Sequence, residues 1–349
     1  MVDRDLYTKN SLSGQRLVLC YDIGGTYLRG TVYDEAADQF IGRCVRATPN
    51  YLLHSDKDAE TILSHVVDEC ASMGEELLAG RQPHTLVVGF PGPVTDQGIA
   101  LRSPTILGPH LDGPLNVKAA LRGIYRCAAV HVVNDLTCSG FFFVEQGYSD
   151  FCVITVGSGI GNKVFLNSEP VVGPAGRGGE IGHLKAYEPD GFPFSYPWTE
   201  IGEVSSGRGT AYLATAWAIA RPQDFVNSSM RADDLRSPEN DVNELLVQAF
   251  RKEDRLAIKI VSSACHPLAF GIASMHQSIG TERFWIVGGF SKALGEQYRK
   301  ILVRIVSKMA WDLGQDWNSI IQLGKAGEEE GLLGAVRYAL RCSIENKSR

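Results

Sequence analysis

The sequence has little that would suit a secreted or membrane-bound protein. Its eight cysteines form no CxxC pair, and several fall in apolar runs, where a free cysteine behaves as a small hydrophobic residue. The first residues, MVDRDLYTKNSLSGQR, contain no apolar stretch typical of a signal peptide. The other apolar runs are too short or too interrupted to span a bilayer. We therefore expect a reduced, cytoplasmic protein without a membrane partner.

An excess of basic residues is also missing. The chain has 34 Lys and Arg against 40 Asp and Glu, which gives a net charge of -6. Non-specific nucleic-acid binding needs a basic surface, so we predict no nucleic-acid partner. An anionic small molecule is not excluded, because local donors can bind phosphate inside an acidic protein. With 349 residues, the chain is long enough for two domains.

The first half of the chain predicts an α/β unit. Residues 16–49 contain three strand-like runs, RLVLCYDI, LRGTVYD and IGRCVRAT, separated by GGT and by EAADQ. Residues 57–80 place apolar groups at helical spacing and end at Gly80, a plausible stop. HTLVVGFPGPV and AVHVVNDL are then predicted as buried strands. The order is therefore βββαβ, a helix, and a further β-strand.

A similar order restarts near residue 150. DFCVITVGSGIGNKVFLNSEPVVG predicts strand, glycine turn, strand, turn and strand. ERFWIVGGFS predicts a buried strand, followed by the amphipathic pattern KALGEQYRKILVRIVSKMAWDL. Two halves that each open with a glycine-turn hairpin indicate a duplication at domain scale. Residues 221–242, which are polar and rich in turn formers, are predicted to be a mobile connection.

Glycine concentrates at four predicted strand ends: DIGGT, FPGP, GSGIG and the pair Gly288-Gly289. Glycine permits positive φ and leaves backbone N–H groups open to a ligand. A single such turn more often only connects two strands. Four of them, each at the carboxyl end of a strand in an α/β chain, indicate a ligand crevice at that edge.

The ordered set of motifs resembles the ROK family of sugar kinases. These motifs are DIGGTYLRG, GFPGPVTDQGIALRSPTI, VVNDLTCSG, TVGSGIG, GPAGRGGEIGH, IVGGFS and EEEGLLGA, and they extend over about residues 17–340. The resemblance implies an α/β fold of actin-like, ribonuclease-H-like duplicated domains (βββαβα type), with two lobes and a cleft between them. We assign residues 1–138 and the C-terminal helix 331–349 to a small N-terminal lobe, and residues 139–330 to a large C-terminal lobe.

The resemblance also implies a reaction. This is ATP-dependent transfer of the γ-phosphoryl group to a hydroxyl of a hexose, an aminohexose or a sugar-like cyclitol, with Mg²⁺. Such transfer needs positioning, charge stabilisation and a base for the attacking hydroxyl. Asp135, at the end of VVND, matches the family's general base, and its alternative is a helix N-cap. Asp22 matches the residue that organises Mg²⁺, through water.

The remaining site residues follow from the same resemblance. Glu180 and His183 lie three apart and could face one ligand, or they could form a structural hydrogen-bonded pair. The predicted acceptor contacts are Gly92, Asn134, Asp135, Glu180, His183 and Glu200. The predicted nucleotide contacts are Gly24, Gly25, Thr26, Gly157, Ser158, Gly159, Gly288 and Gly289.

The sequence departs from the family pattern after GEIGH. Most members continue with CxCGxxGCxE, in which a histidine and three cysteines bind zinc. Here no cysteine lies between Cys152 and Cys265, so we expect no structural zinc, and another group must orient His183. Glu200 and Glu203 both lie near the position of the family's acceptor-binding glutamate, and we favour Glu200.

A second departure is Thr105, which stands where the family usually has Asn after the SP element. Together the two departures predict an acceptor other than plain glucose.

Two alternatives share the same fold. A ROK-type sugar-responsive transcriptional regulator would need a DNA-binding module before the core, and we expect the first strand to begin too early for one, near Arg16. A non-catalytic sugar-binding or assembly protein would be expected to lose the base or a phosphate turn, whereas Asp135 and all the turns are present. The resemblance further suggests a homodimer.

Overall fold

The computed structural model describes residues 16–108, 113–125, 127, 129–173, 175–186, 199–324 and 329–345. The elements of the first half are β1 (Leu17–Ile23), β2 (Tyr27–Asp34), β3 (Gln39–Ala47), α1 (Ala59–Leu78), β4 (Thr85–Phe90), β5 (Ile99–Ala100), β6 (Leu115–Asn116), α2 (Val117–Arg122), β7 (Ala129–Asn134) and α3 (Asp135–Glu145).

The second half contains further strands, helices and two short 3₁₀ helices, Ile181–His183 and Pro222–Phe225. The strands are β8 (Phe151–Val156), β9 (Ile160–Leu166), β10 (Glu169–Pro170), β11 (Lys185–Ala186), β12 (Thr199–Glu200), β13 (Phe284–Val287) and β14 (Ile321–Leu323). The helices are α4 (Ile201–Ser205), α5 (Gly207–Ala220), α6 (Ala232–Arg236), α7 (Val242–Arg251), α8 (Arg255–Ile279), α9 (Gly289–Met309), α10 (Trp317–Ile320) and α11 (Glu330–Glu345).

Two five-stranded sheets repeat one topology. The first has the order β3-β2-β1-β4-β7 and the second the order β10-β9-β8-β13-β14. In the first sheet, β1 is antiparallel to β2 and parallel to β4, which is parallel to β7. In the second, β8 is antiparallel to β9 and parallel to β13, which is parallel to β14. The duplication and the α/β class expected from the sequence are confirmed.

The first sheet is covered on both faces, which explains why β1 is apolar along almost its whole length. Leu19 and Tyr21 pack in a core with residues of α1. Val18 and Cys20 point to the opposite face and pack with residues of α11. Alternate side chains of a strand reach opposite faces of its sheet, so a central strand of this kind needs apolar residues at every position.

Helix α11 returns the end of the described chain to the first sheet. Its Leu332, Ala335 and Val336 share a buried cluster with Val18 and Val87. Helix α3 lies beside α11 and contacts strands of both sheets, so it connects the two halves. The packing of α11 accords with the lobe division given above, which stays a prediction.

Segment 221–242 was predicted to be a mobile connection, but in the structure it is anchored by buried side chains. It contains a 3₁₀ turn and α6, and Phe225, Met230 and Leu235 are each 5% exposed or less within the second core. The indole of Trp217 also donates to the carboxylate of Asp224. The three apolar anchors follow neither a strand nor a helix period, so their burial was not visible in the pattern.

Helix α8 is the one helix, among the residues described, with the length and apolar composition needed to cross a bilayer. Of its apolar window, 61% is buried inside the protein. Leu268 and Ile272 of this helix lie in the core of the second half. Its composition is therefore that of a core helix.

Candidate active site

The parallel strands β1, β4 and β7 bring two carboxylates to one edge of the first sheet. Asp22 is in register with Gly89, and Phe90 is in register with Asn134, which precedes Asp135. A Cβ on Gly89 would lie 3.3 Å from Cα of Asp135 and 3.7 Å from Oδ1 of Asp22. The predicted base and the predicted metal residue therefore flank one glycine at the floor of the cleft.

Asn134, rather than Asp135, is the N-cap of α3. Its Oδ1 accepts from the N–H groups of Leu136 and Thr137, at 3.0 and 3.2 Å. Its Nδ2 donates to the Gly92 carbonyl and to Oδ1 of Asp135, at 2.9 Å each. These contacts use every hydrogen-bonding position of the amide, so a contact with the acceptor would have to replace one. The predicted role of Asn134 in acceptor binding stays a prediction.

Asp135 keeps one carboxylate oxygen available. Oδ1 accepts from Leu136 N and Asn134 Nδ2 at 2.9 Å each, whereas Oδ2 has no hydrogen-bond partner among the described residues. Burial raises the pKa of Asp135 to about 6, although the Leu136 N–H and the charge of Lys163 lower it. A carboxylate with a pKa just below neutrality is ionised at pH 7 and basic enough to accept a proton.

Asp22 lies in an acidic surrounding. Burial raises its pKa to about 7, and the charges of Asp135 and Glu330 add to this, while Arg29 opposes it. A Cβ on Gly331 would lie 2.6 Å from the carboxylate carbon of Asp22. The first turn of α11 therefore closes over Asp22. Sequence reasoning missed Glu330 and Gly331, although both lie in the EEEGLLGA motif.

Mg²⁺ fits this arrangement. In the described part of the chain, no group of three His, Cys, Asp or Glu side chains could hold a metal ion on its own. Mg²⁺ is usually bound by one or two carboxylates together with phosphates and water. Burial and the negative charges of Asp135 and Glu330 raise the pKa of Asp22. A divalent cation that arrived with a nucleotide would offset this repulsion.

The GGT turn is held by residues that follow β3. The Gly24 N–H donates to the Tyr27 carbonyl at 2.9 Å, so this N–H closes the turn and is not free for a phosphate. Thr48 Oγ1 donates to the Gly24 carbonyl at 2.8 Å, and Asn50 Nδ2 donates to the Gly25 carbonyl at 2.9 Å. Thr48 and Asn50 were missed because no glycine or strand pattern marks them.

Two glycines of these turns, Gly92 and Gly288, adopt positive φ, at +100° and +102°. Gly24, Gly25, Gly157 and Gly159 lie outside the positive-φ region. At Gly25 close approach is the reason for glycine, since a Cβ would lie 3.1 Å from Ser158 Oγ and 3.5 Å from Thr105 Cβ.

The second sheet presents its own two turns at one edge. The turn Gly157–Gly159 follows β8, and the pair Gly288-Gly289 follows β13, which is parallel to β8. A Cβ on Gly288 would lie 2.8 Å from the Val156 carbonyl oxygen. Because Ser158 also approaches Gly25, the structure brings the predicted nucleotide turns of both lobes to one cleft.

Among the predicted acceptor contacts, Glu200 lies beside His183, where the sequence required a group other than zinc. His183 ends a short 3₁₀ helix, and its Nδ1 lies 2.8 Å from Oε2 of Glu200. The side chain of Glu203 instead accepts the Glu200 N–H at 3.1 Å, at the start of α4. Both glutamates belong to the capping box at the start of α4, and Glu200 in addition lies beside His183. Contact of either with an acceptor stays a prediction.

Lys163 is a further residue of this region that sequence reasoning missed. It is 1% exposed, and its Nζ donates to the Gly178 carbonyl at 2.6 Å. Its charge lowers the pKa values of both Asp135 and Glu180. The only signal in the sequence was a lysine inside a strand-like run that continues with Val164, Phe165 and Leu166.

Fold and site together define a two-lobe α/β protein in which two buried carboxylates and several glycine turns lie at one cleft. Residues 18–341 match the ROK family, and the chain belongs to that family. The resemblance noted from the motifs is therefore confirmed over most of the chain.

Relatives and solved structures agree with this membership. The C(7)-cyclitol 7-kinase of Streptomyces hygroscopicus subsp. jinggangensis (strain 5008) is 31% identical over 293 residues, which is 80% of this chain and 81% of the relative. A ROK family glucokinase from Streptomyces griseus, solved with glucose and AMPPNP, has a TM-score of 0.69 at 21% identity, covering 94% of this chain and 100% of that one. The chain is a sugar kinase with the actin-like, two-lobe fold.

The fold is also shared by a regulator. A ROK family transcriptional regulator, a homolog of the E. coli MLC protein, has a TM-score of 0.70 at 17% identity. It covers 93% of this chain, which in turn covers 78% of the regulator. Fold similarity alone therefore does not separate kinases from regulators, and the site residues have to do so.

Proposed function

We propose that the protein transfers the γ-phosphoryl group of ATP to a hydroxyl of a cyclitol, with Asp135 as the general base. The observation that supports this most directly is Oδ2 of Asp135, which has no hydrogen-bond partner among the described residues and lies at the first residue of α3, across Gly89 from Asp22. A base must lie within hydrogen-bonding reach of the proton that it accepts, and an oxygen without a protein partner meets that need.

The proposed mechanism draws on residues of both lobes. Oδ2 of Asp135 accepts the proton of the acceptor hydroxyl while the hydroxyl oxygen attacks the γ-phosphorus; the bond from that phosphorus to the β–γ bridging oxygen breaks, and ADP leaves. Asp22 would hold Mg²⁺, which neutralises charge on the phosphates when bound. The Gly25 and Thr26 backbone and the Gly157–Gly159 turn would bind the phosphates between the lobes, and Gly288-Gly289 would lie against the adenosine.

The acceptor is proposed from the relatives and from the departures in the sequence. A C(7)-cyclitol 7-kinase is 31% identical to the chain, and a second kinase of that name, from Streptomyces hygroscopicus subsp. limoneus, is 34% identical over 226 residues. Thr105, next to the phosphate turns, and the pair of His183 and Glu200 replace features that the family pattern leads one to expect. We therefore propose a seven-carbon cyclitol, phosphorylated on its exocyclic hydroxyl, before a hexose or an aminohexose.

A coupled assay over a panel of acceptors tests this proposal. Glucose, N-acetylmannosamine, myo-inositol and a seven-carbon cyclitol are compared by kcat/KM, and the phosphorylated position is assigned by ³¹P NMR. We expect the seven-carbon cyclitol to exceed glucose by at least about tenfold, on the order of what one missing hydroxyl or ring contact costs. If glucose had the highest kcat/KM of the panel, the proposed cyclitol acceptor would be rejected, but the kinase activity would stand.

The two alternative functions, a transcriptional regulator and a non-catalytic sugar-binding protein, lead to a different expected result in this assay. Both would bind an acceptor without turnover, so absence of phosphorylation across the panel by folded protein would favour them. We also propose a cytoplasmic location and a homodimer. The eight cysteines are free thiols, which suits a reducing compartment, and size-exclusion chromatography with light scattering tests the dimer.

A further inference from the structure

Lys163 is a buried cation that the mechanism above does not use. It lies on β9 and is 1% exposed, although lysine is almost never fully buried unless it is paired. Its Nζ donates to the Gly178 carbonyl at 2.6 Å. Within the ranges that the structure describes, it forms no ion pair and no other hydrogen bond. Two of the three donors of the ammonium group therefore remain available.

The side chain of Lys163 points at the first turn of α3. Gly161, Lys163 and Phe165 alternate along β9 and share one face of the strand. A Cβ on Gly161 would lie 3.1 Å from Cδ1 of Leu136, and Phe165 fills the space beside Gly140. Leu136 and Gly140 belong to α3, so Lys163, between the two contacts, faces the start of the helix that opens with Asp135.

The same ammonium group also faces the acceptor side of the site. A Cβ on Gly179 would lie 2.9 Å from Nζ of Lys163, and Gly179 is followed by Glu180. Burial lowers the pKa of Lys163, whereas the charges of Glu180 and Asp135 raise it. Lys163 thus lies between two carboxylates and compensates both without a direct ion pair to either. An isolated buried ammonium group would cost several kcal/mol, so the neighbouring carboxylates are what make its burial tolerable.

Several other groups face Asp135 and contribute to the same balance. Asp22 faces it from β1 and Glu180 from the segment before the 3₁₀ helix. The Cys138 thiol of α3 lies nearby, and burial raises its pKa, so it stays neutral. Glu330 of α11 acts on Asp22. Among these neighbours, Lys163 is the cation whose charge acts on Asp135.

We propose that Lys163 is a positioning residue of the transfer site, whose ammonium group offsets the charges of Asp135 and Glu180 and holds the Gly178–Glu180 segment against β9. The inference rests on the proposed function, because the charge of Lys163 can affect the reaction only if Asp135 is the general base. Lys163 touches neither the acceptor nor the phosphate in this role. It acts through the two carboxylates.

The test compares Lys163→Met, Lys163→Gln and Lys163→Arg by their profiles of kcat against pH. In the Met and Gln variants we expect the acidic limb of the kcat profile to move upward by about one pH unit. This shift lowers kcat near pH 6 by about fivefold, and kcat at pH 9 differs little from wild type. Lys163→Arg keeps the charge and should keep the wild-type limb. Lys300→Met, which removes an exposed lysine of α9, is the matched control and should change nothing.

A structural role alone gives a different outcome. If folded Lys163→Met had the wild-type limb, or lost activity equally at every pH, the inference would be overturned. Glu180→Gln provides a second measurement should the Met and Gln variants fail to fold. With Glu180 neutral, its charge no longer raises the pKa of Asp135, while the charge of Lys163 still lowers it. The acidic limb should therefore move to lower pH, and it should do so less in Lys163→Met/Glu180→Gln; an equal limb in the single and double variants contradicts the inference.

These results are distinguishable from failure of the proposed function. If Asp135→Asn kept wild-type kcat, the assignment of the base would fall and the role of Lys163 with it. If Asp135→Asn were inactive while Lys163→Met kept the wild-type limb, only the inference about Lys163 would fall.

Discussion

Asp135 and Asn134 divide two tasks that a single residue could not perform together. The side chain of Asn134 caps α3, and this leaves Oδ2 of Asp135 without a protein partner among the described residues. An aspartate that capped the helix itself would have its oxygens bound to backbone N–H groups. The neighbouring asparagine is therefore the reason that a carboxylate at a helix start can act as a base.

Substitution of the base tests this division. Asp135→Asn removes the proton acceptor but keeps the shape, so we expect kcat to fall by about 10²–10⁴-fold. The dissociation constant of the acceptor, measured by calorimetry, should change by no more than about threefold, since the lost task is proton transfer. Asp68→Asn, at an exposed position of α1, is the control. A kcat near wild type in Asp135→Asn would refute the assignment.

The raised pKa of Asp22 predicts how stability depends on pH. Its native pKa of about 7 exceeds the ordinary value near 3.8, so between these values the native state binds more protons than the unfolded state. Stability then falls as pH rises through this window. Asp22→Asn removes the effect, and we expect it to raise the free energy of unfolding at pH 8 by up to about 4 kcal/mol, with little change at pH 4.

Urea denaturation of metal-free, nucleotide-free protein at pH 4 and pH 8 measures this difference. A lower stability of Asp22→Asn at pH 8 would show that the carboxylate is held favourably in the native state. The same variant should lose phosphoryl transfer, because Asp22 is proposed to hold Mg²⁺. Gain of stability with loss of activity is the combination expected of a strained functional residue.

At the scale of elements, the start of α11 has no room for a side chain beside Asp22. A Cβ on Gly331 would lie 2.6 Å from the carboxylate carbon of Asp22 and 2.6 to 2.7 Å from its oxygens. Gly331→Ala should therefore displace the carboxylate or the helix, and kcat should fall by about 10²-fold, as for misplacement by about 1 Å. The KM for the acceptor should stay within about twofold of wild type.

Steady-state kinetics of Gly331→Ala beside Gly113→Ala check this prediction. A Cβ on Gly113 meets nothing within 4 Å, so its substitution should be silent. If both variants had the same kcat and KM, α11 would be able to shift without displacing the carboxylate of Asp22. The close approach of Gly331 to Asp22 would then not matter for phosphoryl transfer.

The sequence predicted the elements that follow a simple period. β1, β2, β4 and β7 were recognised from their apolar runs, and α1 from the spacing of its buried residues, ending in the left-handed Ala79 and Gly80. Such patterns report what a residue meets inside its own element. The motifs also located both carboxylates and the four turns, because chemistry confines their residue types to strand ends.

What the sequence did not predict depends on partners far along the chain. The approach of Gly331 to Asp22, the hydrogen bond of Lys163 to Gly178, and the support of Gly25 by Asn50 are set by tertiary packing. The same applies to the anchors of segment 221–242, which have no period. Residue types alone cannot show which distant side chain will fill a given space.

At the scale of the whole molecule, described residues of the two lobes approach each other at several places. Gly25 of the first lobe leaves room for Ser158 of the second, and Arg208 Nη1 donates to Tyr51 Oη at 3.4 Å. Contacts of this kind form when two lobes close, and closure keeps water away from a reactive phosphate.

A larger side chain at Gly25 should keep the lobes apart. In Gly25→Val we expect kcat to fall by about 10²-fold, and small-angle scattering with acceptor and a nucleotide analogue should show a larger radius of gyration than wild type. Gly113→Val serves as the control for added bulk. Closure indistinguishable from wild type in Gly25→Val would mean that the approach of Ser158 does not govern the cleft.

The packing of α11 has a consequence for how the polypeptide reaches its native state on the ribosome. Val18 and Val87 emerge early, yet the helix that shields them, with Leu332 and Val336, is synthesised only after the whole second half. Until then the apolar face of the first sheet that α11 covers stays exposed to solvent. Nascent chains at this stage are candidates for chaperone binding or aggregation. Completion of the first lobe is thus among the last events of biogenesis, not among the first.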